Sequence, residues 1–226
     1  LKQAQRLVAV AREEGKFLME AMWSRFLPTL LQVRRWLEDG VIGEPRMVYA
    51  DFGFRADFDE DSRIFDLDLG GGALLDVGVY AVSFASMVYG AATLEIAGLA
   101  HLSATGADEQ NAAVLGYEGG ALAMVSSAIR TTTPHEARIL GTDGMIHVHG
   151  PFWHGTRLTL DVPGEDPQEI ELPFEGNGYN YEAAEVARCL RAGALESDVM
   201  PLDESLAIMG TMDRMRAQWG LTYPVD

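Results

Sequence analysis

Apolar residues recur along this chain at two different spacings. Apolar positions three to four residues apart predict helices over residues 1–14, 28–40, 73–89, 181–192 and 203–219. Alternation of apolar and other residues, clearest from Leu94 to Leu99, predicts strands at 46–54, 94–99, 111–117, 121–129, 136–141, 145–149, 157–162 and 168–172. A further short strand is predicted from Phe17 to Ala21. The second half of the chain is therefore expected to be mostly sheet.

Short turns join the predicted strands. Residues 118–120, 142–144 and 163–167 carry the glycine, proline and acidic residues that are typical of hairpin turns. Because hairpins join antiparallel neighbours, we expect an α+β fold. Its large sheet is predicted to be open and mainly antiparallel, with helices on one face.

The run Gly70-Gly71-Gly72 leads into a predicted helix that carries Asp76 and Tyr80. Glycine lets the backbone approach a ligand closely. Residues four apart lie on one face of a helix, where a carboxylate can orient a phenol or a bound hydroxyl. The segment therefore predicts one wall of an active site. Two simpler interpretations stay open: Asp76 can stabilise the helix start through the helix dipole, and Tyr80 can serve ordinary packing.

This motif resembles the start of the substrate-domain helix in the Gfo/Idh/MocA oxidoreductases, where a triple-glycine run precedes Asp-x-Gly-x-His or Asp-x-Gly-x-Tyr. The tyrosine form is similar to the dihydrodiol dehydrogenase and xylose dehydrogenase branch of that family. Other segments agree in their order and spread: 22–28 (MWSRFLP), 40–45 (GVIGEP), 141–144 (GTDG) and 218–224 (QWGLTYP). The resemblance covers essentially the whole chain.

Members of this family begin with a dinucleotide-binding domain that carries a Gly-x-Gly-x-x-Gly turn and a Glu-Lys-Pro segment with a catalytic lysine. Neither motif occurs in this sequence. The resemblance implies that residues 1–22 are the last helix and strand of that doubly wound domain, while residues 23–226 form a substrate-binding and dimerisation domain. An isolated helix and strand cannot bury their apolar faces, so we expect residues 1–22 to be poorly ordered or to borrow packing from elsewhere.

The resemblance also implies hydride transfer between NADP or NAD and a carbon that bears a hydroxyl or carbonyl group, on a sugar, polyol or cyclic diol. Tyr80 would be the acid/base, and Asp76 would bind the substrate hydroxyl or orient the reacting groups. A free phenol has a pKa of about 10, so it needs a nearby cation to act as a base near neutral pH. A homodimer formed through the open face of the sheet is implied as well.

A second interpretation belongs to a different class of protein. The chain can be a truncated, non-catalytic module for dimerisation or ligand binding. Without the main cofactor-binding domain, we expect the chain alone to be inactive even where the intact protein is a dehydrogenase.

Five further residues are candidates for the site. Trp23 and Arg25 follow the last predicted strand of the dinucleotide domain, at the carboxyl end where open α/β sheets bind ligands. Trp23 would form a flat wall for a sugar or nicotinamide ring, and Arg25 would contact a cofactor or substrate oxygen. Packing between domains is the alternative for both. Phe54, Arg55 and Trp153 are weaker candidates for the substrate pocket, each equally well explained as ordinary surface or core.

Composition narrows the class of protein. The formal net charge of −17 repels phosphate backbones, so nucleic acid is not an expected partner. The sequence has no uninterrupted apolar run near the ~20 residues of a membrane span, so no membrane partner is expected. Cys189 is the only cysteine, so an intramolecular disulfide is impossible, and we expect the protein to lie in the reducing cytoplasm.

His147 and His149 alternate, with His154 close behind, which is a pattern that a metal site could use. No cysteine or acidic ligand joins them at a metal-site spacing, so no metal is expected.

Overall fold

The computed structural model describes residues 1–90 and 93–224. Within them the helices are α1 (Lys2–Glu13), α2 (Pro28–Glu38), α3 (Val79–Tyr89), α4 (Tyr179–Ala192) and α5 (Leu202–Trp219). The strands are β1 (Pro45–Gly53), β2 (Glu95–Leu102), β3 (Asp108–Gly116), β4 (Leu122–Ala128), β5 (Ala137–Gly141), β6 (Met145–Val148), β7 (Arg157–Asp161) and β8 (Gln168–Glu171). Shorter helical turns lie at Trp23–Phe26, Leu67–Leu69, Leu74–Gly78, Glu118–Gly120 and Phe152–His154. The predicted helices and the strands predicted after residue 45 lie within a few residues of these bounds.

The eight strands form one sheet in the order β2-β3-β4-β1-β5-β6-β7-β8. Neighbouring strands are antiparallel except β1 and β4, which pair in parallel near the centre. A parallel pair needs a long crossover, which α3, β2 and β3 supply here. The prediction of a mainly antiparallel sheet is confirmed.

Helices cover one face of this sheet. Val48 and Ala50 of β1 point towards the helices and are 0% and 3% exposed. On β3 and β2, Val114 and Leu99 face away from the helices. Val114 is 39% exposed and Leu99 is 83% exposed. The predicted α+β fold with helices on one face is therefore confirmed, and strands β2, β3, β4 and β1 present apolar side chains on the other face.

The amino-terminal helix packs onto α5 and the turn before it. Arg12 forms ion pairs with Asp203 at 2.8 Å and with Glu196 at 3.2 Å. In this structure α1 is packed against the carboxyl-terminal part of the chain, and the expectation that residues 1–22 are poorly ordered or borrow packing stays a prediction.

The strand predicted from Phe17 to Ala21 is wrong. The backbone N–H of Leu18 donates to the carbonyl of Leu195, which lies outside any strand. Because a β-strand is defined by a ladder with a neighbouring strand, apolar residues alone do not make this segment one.

The stretch Leu67–Tyr89 is long and apolar enough to cross a membrane, by length and composition only. In this fold 67% of its most apolar window is buried against other parts of the chain. Packing inside the core therefore accounts for its apolar composition.

Candidate active site

Each of the three glycines before the motif helix has a structural reason: Gly70 has a left-handed backbone, and Gly71 and Gly72 pack closely against the chain. Gly70 has a left-handed φ of 73°. A Cβ on Gly71 would lie 2.8 Å from backbone atoms of Asp66, and a Cβ on Gly72 would overlap the carboxylate of Asp108. In this structure the close approach of Gly71 and Gly72 is made to the protein itself, and an approach of this run to a ligand stays a prediction.

Asp108 fastens the start of the motif helix to the sheet. Its Oδ2 accepts hydrogen bonds from the backbone N–H of Leu74 at 2.8 Å and from Asn111 Nδ2 at 2.7 Å, and Asn111 also donates to Ser127 at 2.7 Å. Asp108 is fully buried, and this burial raises its pKa to about 6. A Cβ on Gly78 would be 2.7 Å from Ser127 Oγ, so glycine lets the helix lie close to β4. We call Asp108, Asn111 and Ser127 the Asp108 network.

The motif helix is not α-helical throughout. Leu74–Gly78 forms a π-helical turn, in which hydrogen bonds span five residues, and α geometry begins at Val79. Asp76 lies in the wide turn and Tyr80 in the first turn of α3. The prediction of an α-helix throughout is therefore corrected: the segment from Asp76 to Tyr80 begins in a π turn and ends in an α-helix, and π turns are frequent at functional sites.

Asp76 is paired with an arginine that the sequence analysis did not single out. Its Oδ1 lies 2.8 Å from Arg63 Nη2, and its side chain is 19% exposed against 61% for Arg63. The arginine engages one carboxylate oxygen. The other oxygen can accept a hydrogen bond from a bound hydroxyl.

Tyr80 contacts the indole of Trp23. Trp23 Nε1–H donates a hydrogen bond to Tyr80 Oη at 3.0 Å. Burial raises the pKa of Tyr80, the bond from Trp23 lowers it, and the nearby Tyr179, Asp76 and Glu182 raise it. Among the groups of the described residues that shift this pKa, none is a cation. The phenol is therefore protonated near neutral pH.

Stacked rings lie beside this phenol. Phe52 of β1 and Trp153 have ring centroids 3.2 Å apart and planes 7° apart. The Tyr80 ring lies 5.6 Å from Phe52 and 6.2 Å from Trp153. His135 meets Phe52 and Trp153 edge-on, at 5.4 and 4.8 Å. We call Phe52, Tyr80, His135 and Trp153 the aromatic stack.

A second group of aromatic rings packs around Trp23. Its ring lies 4.7 Å from Tyr179 and 5.2 Å from His154, and His154 lies 4.4 Å from Phe174. Tyr80 is thus surrounded by rings from β1, from the turn Phe152–His154 and from the start of α4. Mostly apolar walls with a few placed polar groups are typical of sites for small molecules.

The structure brings together three of the predicted site residues, Tyr80, Trp23 and Trp153. Sequence reasoning missed Phe52 and His135. Phe52 follows Val48 and Ala50 in the inward alternation of β1, so the strand pattern contains a signal for it. His135 has a φ of 66°, and its Nε2 contacts the carbonyl of Gly53; it arrives through the loop between β4 and β5, which no local pattern indicates.

Phe54 and Arg55, both predicted for the substrate pocket, lie away from the aromatic stack. Phe54 packs in a separate small cluster with Phe65 and Ile129. The side chain of Arg55 is 74% exposed, with its Nη2 3.7 Å from Asp57. These placements favour the alternatives of ordinary core and surface.

Arg25, predicted to contact a cofactor or substrate, is 1% exposed. Its Nε donates to Ser83 Oγ at 3.0 Å, and its Nη2 donates to the carbonyl of Ser83 at 2.7 Å and to Glu204 at 2.6 Å. The guanidinium therefore ties Trp23–Phe26 to α3 and α5. This placement favours the packing role that the sequence left open.

The two alternating histidines face polar neighbours on the sheet. His147 Nε2 lies 3.1 Å from Glu136, and His149 Nε2 lies 2.8 Å from Thr159 Oγ1. Burial is the main cause that lowers the pKa of both imidazoles. In the part of the chain that the structure describes, no group of three or more His, Cys, Asp or Glu side chains is arranged to hold a metal ion.

Comparison with known proteins identifies the family. Residues 30–147 match the family model described as GFO/IDH/MocA C-terminal domain. The chain is 36% identical over 231 residues to trans-1,2-dihydrobenzene-1,2-diol dehydrogenase of Xenopus tropicalis and 37% identical over 233 residues to that of Mus musculus. These matches cover 98% and 99% of this chain and 68% of each relative. The chain therefore belongs to the Gfo/Idh/MocA family of oxidoreductases, and it spans about two thirds of the length of these relatives.

Solved structures share the fold. A 3-ketoreductase from Actinomadura kijaniata, in complex with NADP and TDP-benzene, is 25% identical with a TM-score of 0.82, covering 96% of this chain and 66% of that one. An aldose-aldose oxidoreductase from Caulobacter crescentus, complexed with glycerol, is 20% identical with a TM-score of 0.83, covering 95% and 66%. The second likeness concerns the fold alone. The predicted family and fold class are confirmed.

Proposed function

We propose that the intact protein is an NAD(P)-dependent dehydrogenase or reductase that acts on a CH–OH or C=O carbon, with Tyr80 as its acid/base. The observation that carries this proposal is the placement of the Tyr80 phenol, which accepts a hydrogen bond from Trp23 at 3.0 Å beside the aromatic stack. The Asp108 network anchors the helix that presents it. Relatives named as diol dehydrogenases and a ketoreductase solved with NADP support the same chemistry.

The protonation state of Tyr80 favours one direction of proton transfer. A neutral phenol can donate its proton to a carbonyl oxygen as that carbonyl is reduced. In the reverse direction Tyr80 would have to accept the hydroxyl proton, which requires a cation that lowers its pKa. Because the described residues supply no such cation to Tyr80, we propose that oxidation depends on a cation from elsewhere in the intact protein.

A nicotinamide cofactor, NADP or NAD, fits the polar groups beside Tyr80. Glu182 lies close enough to raise the pKa of Tyr80, and its buried Oε2 has no hydrogen-bond partner among the described residues. That oxygen can accept a hydrogen bond from a carboxamide or a ribose hydroxyl, and Trp23 offers a flat ring. When bound, the nicotinamide supplies or accepts the hydride. The main cofactor-binding contacts are expected from a domain outside this chain.

The aromatic stack favours a flat or cyclic substrate. Rings such as Phe52 and Trp153 bind the apolar face of another ring, while Asp76 accepts a hydrogen bond from one of its hydroxyls. Relatives are named for dihydrobenzene diols, and the related ketoreductase was solved with a benzene-bearing nucleotide. We propose a cyclic diol or a sugar as the substrate class.

We also propose that two copies associate through the open face of the sheet. A depression of about 1010 Å³ runs across strands β1 to β4 on this face, and its lining includes Tyr49, Leu99, Val114 and Met124. Tyr49 is 40% exposed and Leu99 is 83% exposed. A contiguous exposed apolar patch of this kind marks an interaction site more often than bare surface.

The test of the catalytic proposal is Tyr80→Phe in the intact protein. We expect kcat to fall about a hundredfold with either nicotinamide, because the proton donor is lost while ring packing is kept. Tyr89→Phe is the matched control: Tyr89 ends the same helix, and its hydroxyl donates to the carbonyl of Leu122 at the sheet. Steady-state rates with trans-dihydrobenzene diol and with a reducing sugar compare the two variants. Unchanged turnover in Tyr80→Phe would remove Tyr80 from the mechanism.

The same assay separates the enzyme from the alternative module. If the intact protein binds cyclic diols or sugars but turns over neither with NADP or NAD, the non-catalytic interpretation holds. Calorimetric titration of the ligand, run beside the rate assay, distinguishes the two results.

A further inference from the structure

The sheet ends in two edge strands, β2 and β8. An edge strand presents backbone N–H and C=O groups that can pair with a strand of another molecule. β8 has only four residues, and Glu169 and Glu171 on it are exposed acids. Short length and charge are common protections of an edge. β2 has eight residues and one acid, Glu95, so it is the edge more open to pairing.

Gln218 of α5 occupies the middle of the β2 edge. Its Nε2 donates to the carbonyl of Ile96 at 2.7 Å, and its Oε1 accepts from the backbone N–H of Gly98 at 3.1 Å. A neighbouring strand would engage the same C=O and N–H groups through its own backbone. The side-chain amide of Gln218 therefore takes the place of a peptide group of a further strand.

Arg214 extends this cover towards the start of β2. Its Nη1 donates to the carbonyl of Thr93 at 2.6 Å, and its Nη2 donates to the carbonyl of Leu94 at 2.8 Å. Arg214 and Gln218 are four residues apart, so they lie on one face of α5. Together the two side chains bond to backbone groups from residue 93 to residue 98.

The sequence of β2 is complementary to itself. The bonded groups of Ile96 and Gly98 point outward, and because these directions alternate along a strand, those of Ala100 point outward as well. An antiparallel pair of two β2 strands centred on Gly98 would place Ile96 of each copy opposite Ala100 of the other. The same register places Glu95 opposite His101, an acid opposite an imidazole. Such a pair is symmetric, as interfaces between identical chains usually are.

We propose that Arg214 and Gln218 hold the β2 edge closed, and that this edge, when released, pairs antiparallel with β2 of a second copy. Their hydrogen bonds lie within the chain and use the groups that an incoming strand needs, so the two contacts exclude each other. While the edge is closed, association is left to the open face of the sheet. The proposal is independent of the reaction proposed for Tyr80.

The experiment compares the mass of the double variant Val114→Lys/Gln218→Met with that of Val114→Lys. Lysine at 114 opposes association through the open face, beside which Gln218 lies. Methionine at 218 keeps the length of the side chain but makes neither edge hydrogen bond. We expect light scattering to show a mass that rises with concentration to about twice that of Val114→Lys.

Val114→Lys/Gln168→Met is the matched control, because Gln168 is an exposed glutamine on the other edge strand, β8. This control should have the mass of Val114→Lys at every concentration. An equal rise in the control would show that an exposed methionine alone causes association, and it would overturn the proposal.

Amide hydrogen exchange locates the contact. At low concentration we expect the Gly98 amide of the Gln218→Met double variant to exchange about tenfold faster than in Val114→Lys, because its acceptor is lost. Its protection should return as the concentration rises and a second β2 strand pairs. The proposal is overturned if the mass does not rise, or if Gly98 exchange is unchanged by Gln218→Met. It is also overturned if the mass doubles while Gly98 stays unprotected, because the contact then lies elsewhere.

Discussion

The two faces of the sheet differ in how their side chains are covered. On the helix side, polar groups of β3 and β4 are buried under the motif helix and bond to one another: Asp108, Asn111 and Ser127. On the other side, apolar groups of the same strands are left in solvent. Val114 of β3 pairs with Met124 of β4, and both belong to the exposed depression.

This contrast separates side chains whose contacts are supplied by the chain itself from side chains that are left for contact with other molecules. Asn111 and its neighbour Ala112 point to opposite faces, so one strand serves both tasks. Buried polar groups must find partners inside the chain, and those partners hold the helix of Tyr80 in place. Exposed apolar groups on the open face have no such internal cover, which is why a second copy is proposed there.

On the face of the sheet that the helices cover, an added methyl group should lower the free energy of unfolding more than on the open face. Gly72→Ala places a methyl group against Asp108 at a φ of 121°, so we expect the free energy of unfolding to fall by about 3 kcal/mol. Gly70→Ala is the control, because its φ of 73° is also left-handed but its Cβ meets nothing within 4 Å. It should cost about 1 kcal/mol. Urea unfolding measures both, and equal losses would contradict the proposed clash with Asp108.

Ionisation of Asp108 should lower the stability of the folded chain as the pH rises. Its pKa in the folded chain is raised from 3.8 to about 6, so the folded state binds the proton more tightly than the unfolded state. The free energy of unfolding should then fall by about 3 kcal/mol as the pH rises from 4 to above 6. Asp108→Asn can keep both hydrogen bonds through its one carbonyl oxygen while losing this charge.

The Asp108→Asn variant should therefore match the wild type near pH 4 and exceed it near pH 8. Urea unfolding at the two pH values provides the measurement. A variant that is less stable than the wild type at pH 8 would show that the ionised carboxylate stabilises the helix start.

The aromatic stack allows a comparison between a predicted residue that joins the site and one that does not. Trp153→Ala in the intact protein removes the ring stacked on Phe52, so we expect KM for a cyclic diol to rise about tenfold. Arg55→Gln, at a side chain 74% exposed, should leave KM unchanged. Steady-state kinetics decides, and equal effects would mean that Arg55 reaches the substrate in the intact protein.

The open face should show the smallest change in stability. Val114→Lys adds a charge where the side chain is already 39% exposed, so the unfolding free energy of one copy should change by less than about 0.5 kcal/mol. If two copies meet on this face, light scattering should nevertheless find half the wild-type mass. Leu190→Lys, at a residue 57% exposed on α4, is the control and should keep the wild-type mass. A dimeric Val114→Lys variant would place the interface elsewhere.

Much of the fold can be predicted from the sequence because the signals are local. Helix ends at Gly90 and Gly193, and the strand alternation from Glu95 to Leu102, depend on neighbouring residues only. The segment 17–21 shows the limit of this reasoning, because a strand exists only if another strand lies beside it. Within the site, Asp76 and Tyr80 are recognised from their motif, while Arg63 reaches Asp76 through a loop that carries no periodic pattern.

By itself, the sequence determined the helices, the eight strands of the sheet, the family, and Tyr80 with its neighbouring aspartate as the motif to examine. Only the tertiary structure decided what the glycines pack against, that Arg25 is buried between α3 and α5, and that Phe52, His135 and Trp153 gather beside Tyr80. The physical reason is the range of the interactions. Hydrophobic periodicity and turn chemistry act over a few residues, whereas the site is made by side chains that lie far apart in sequence and meet only when the sheet and its helices have packed.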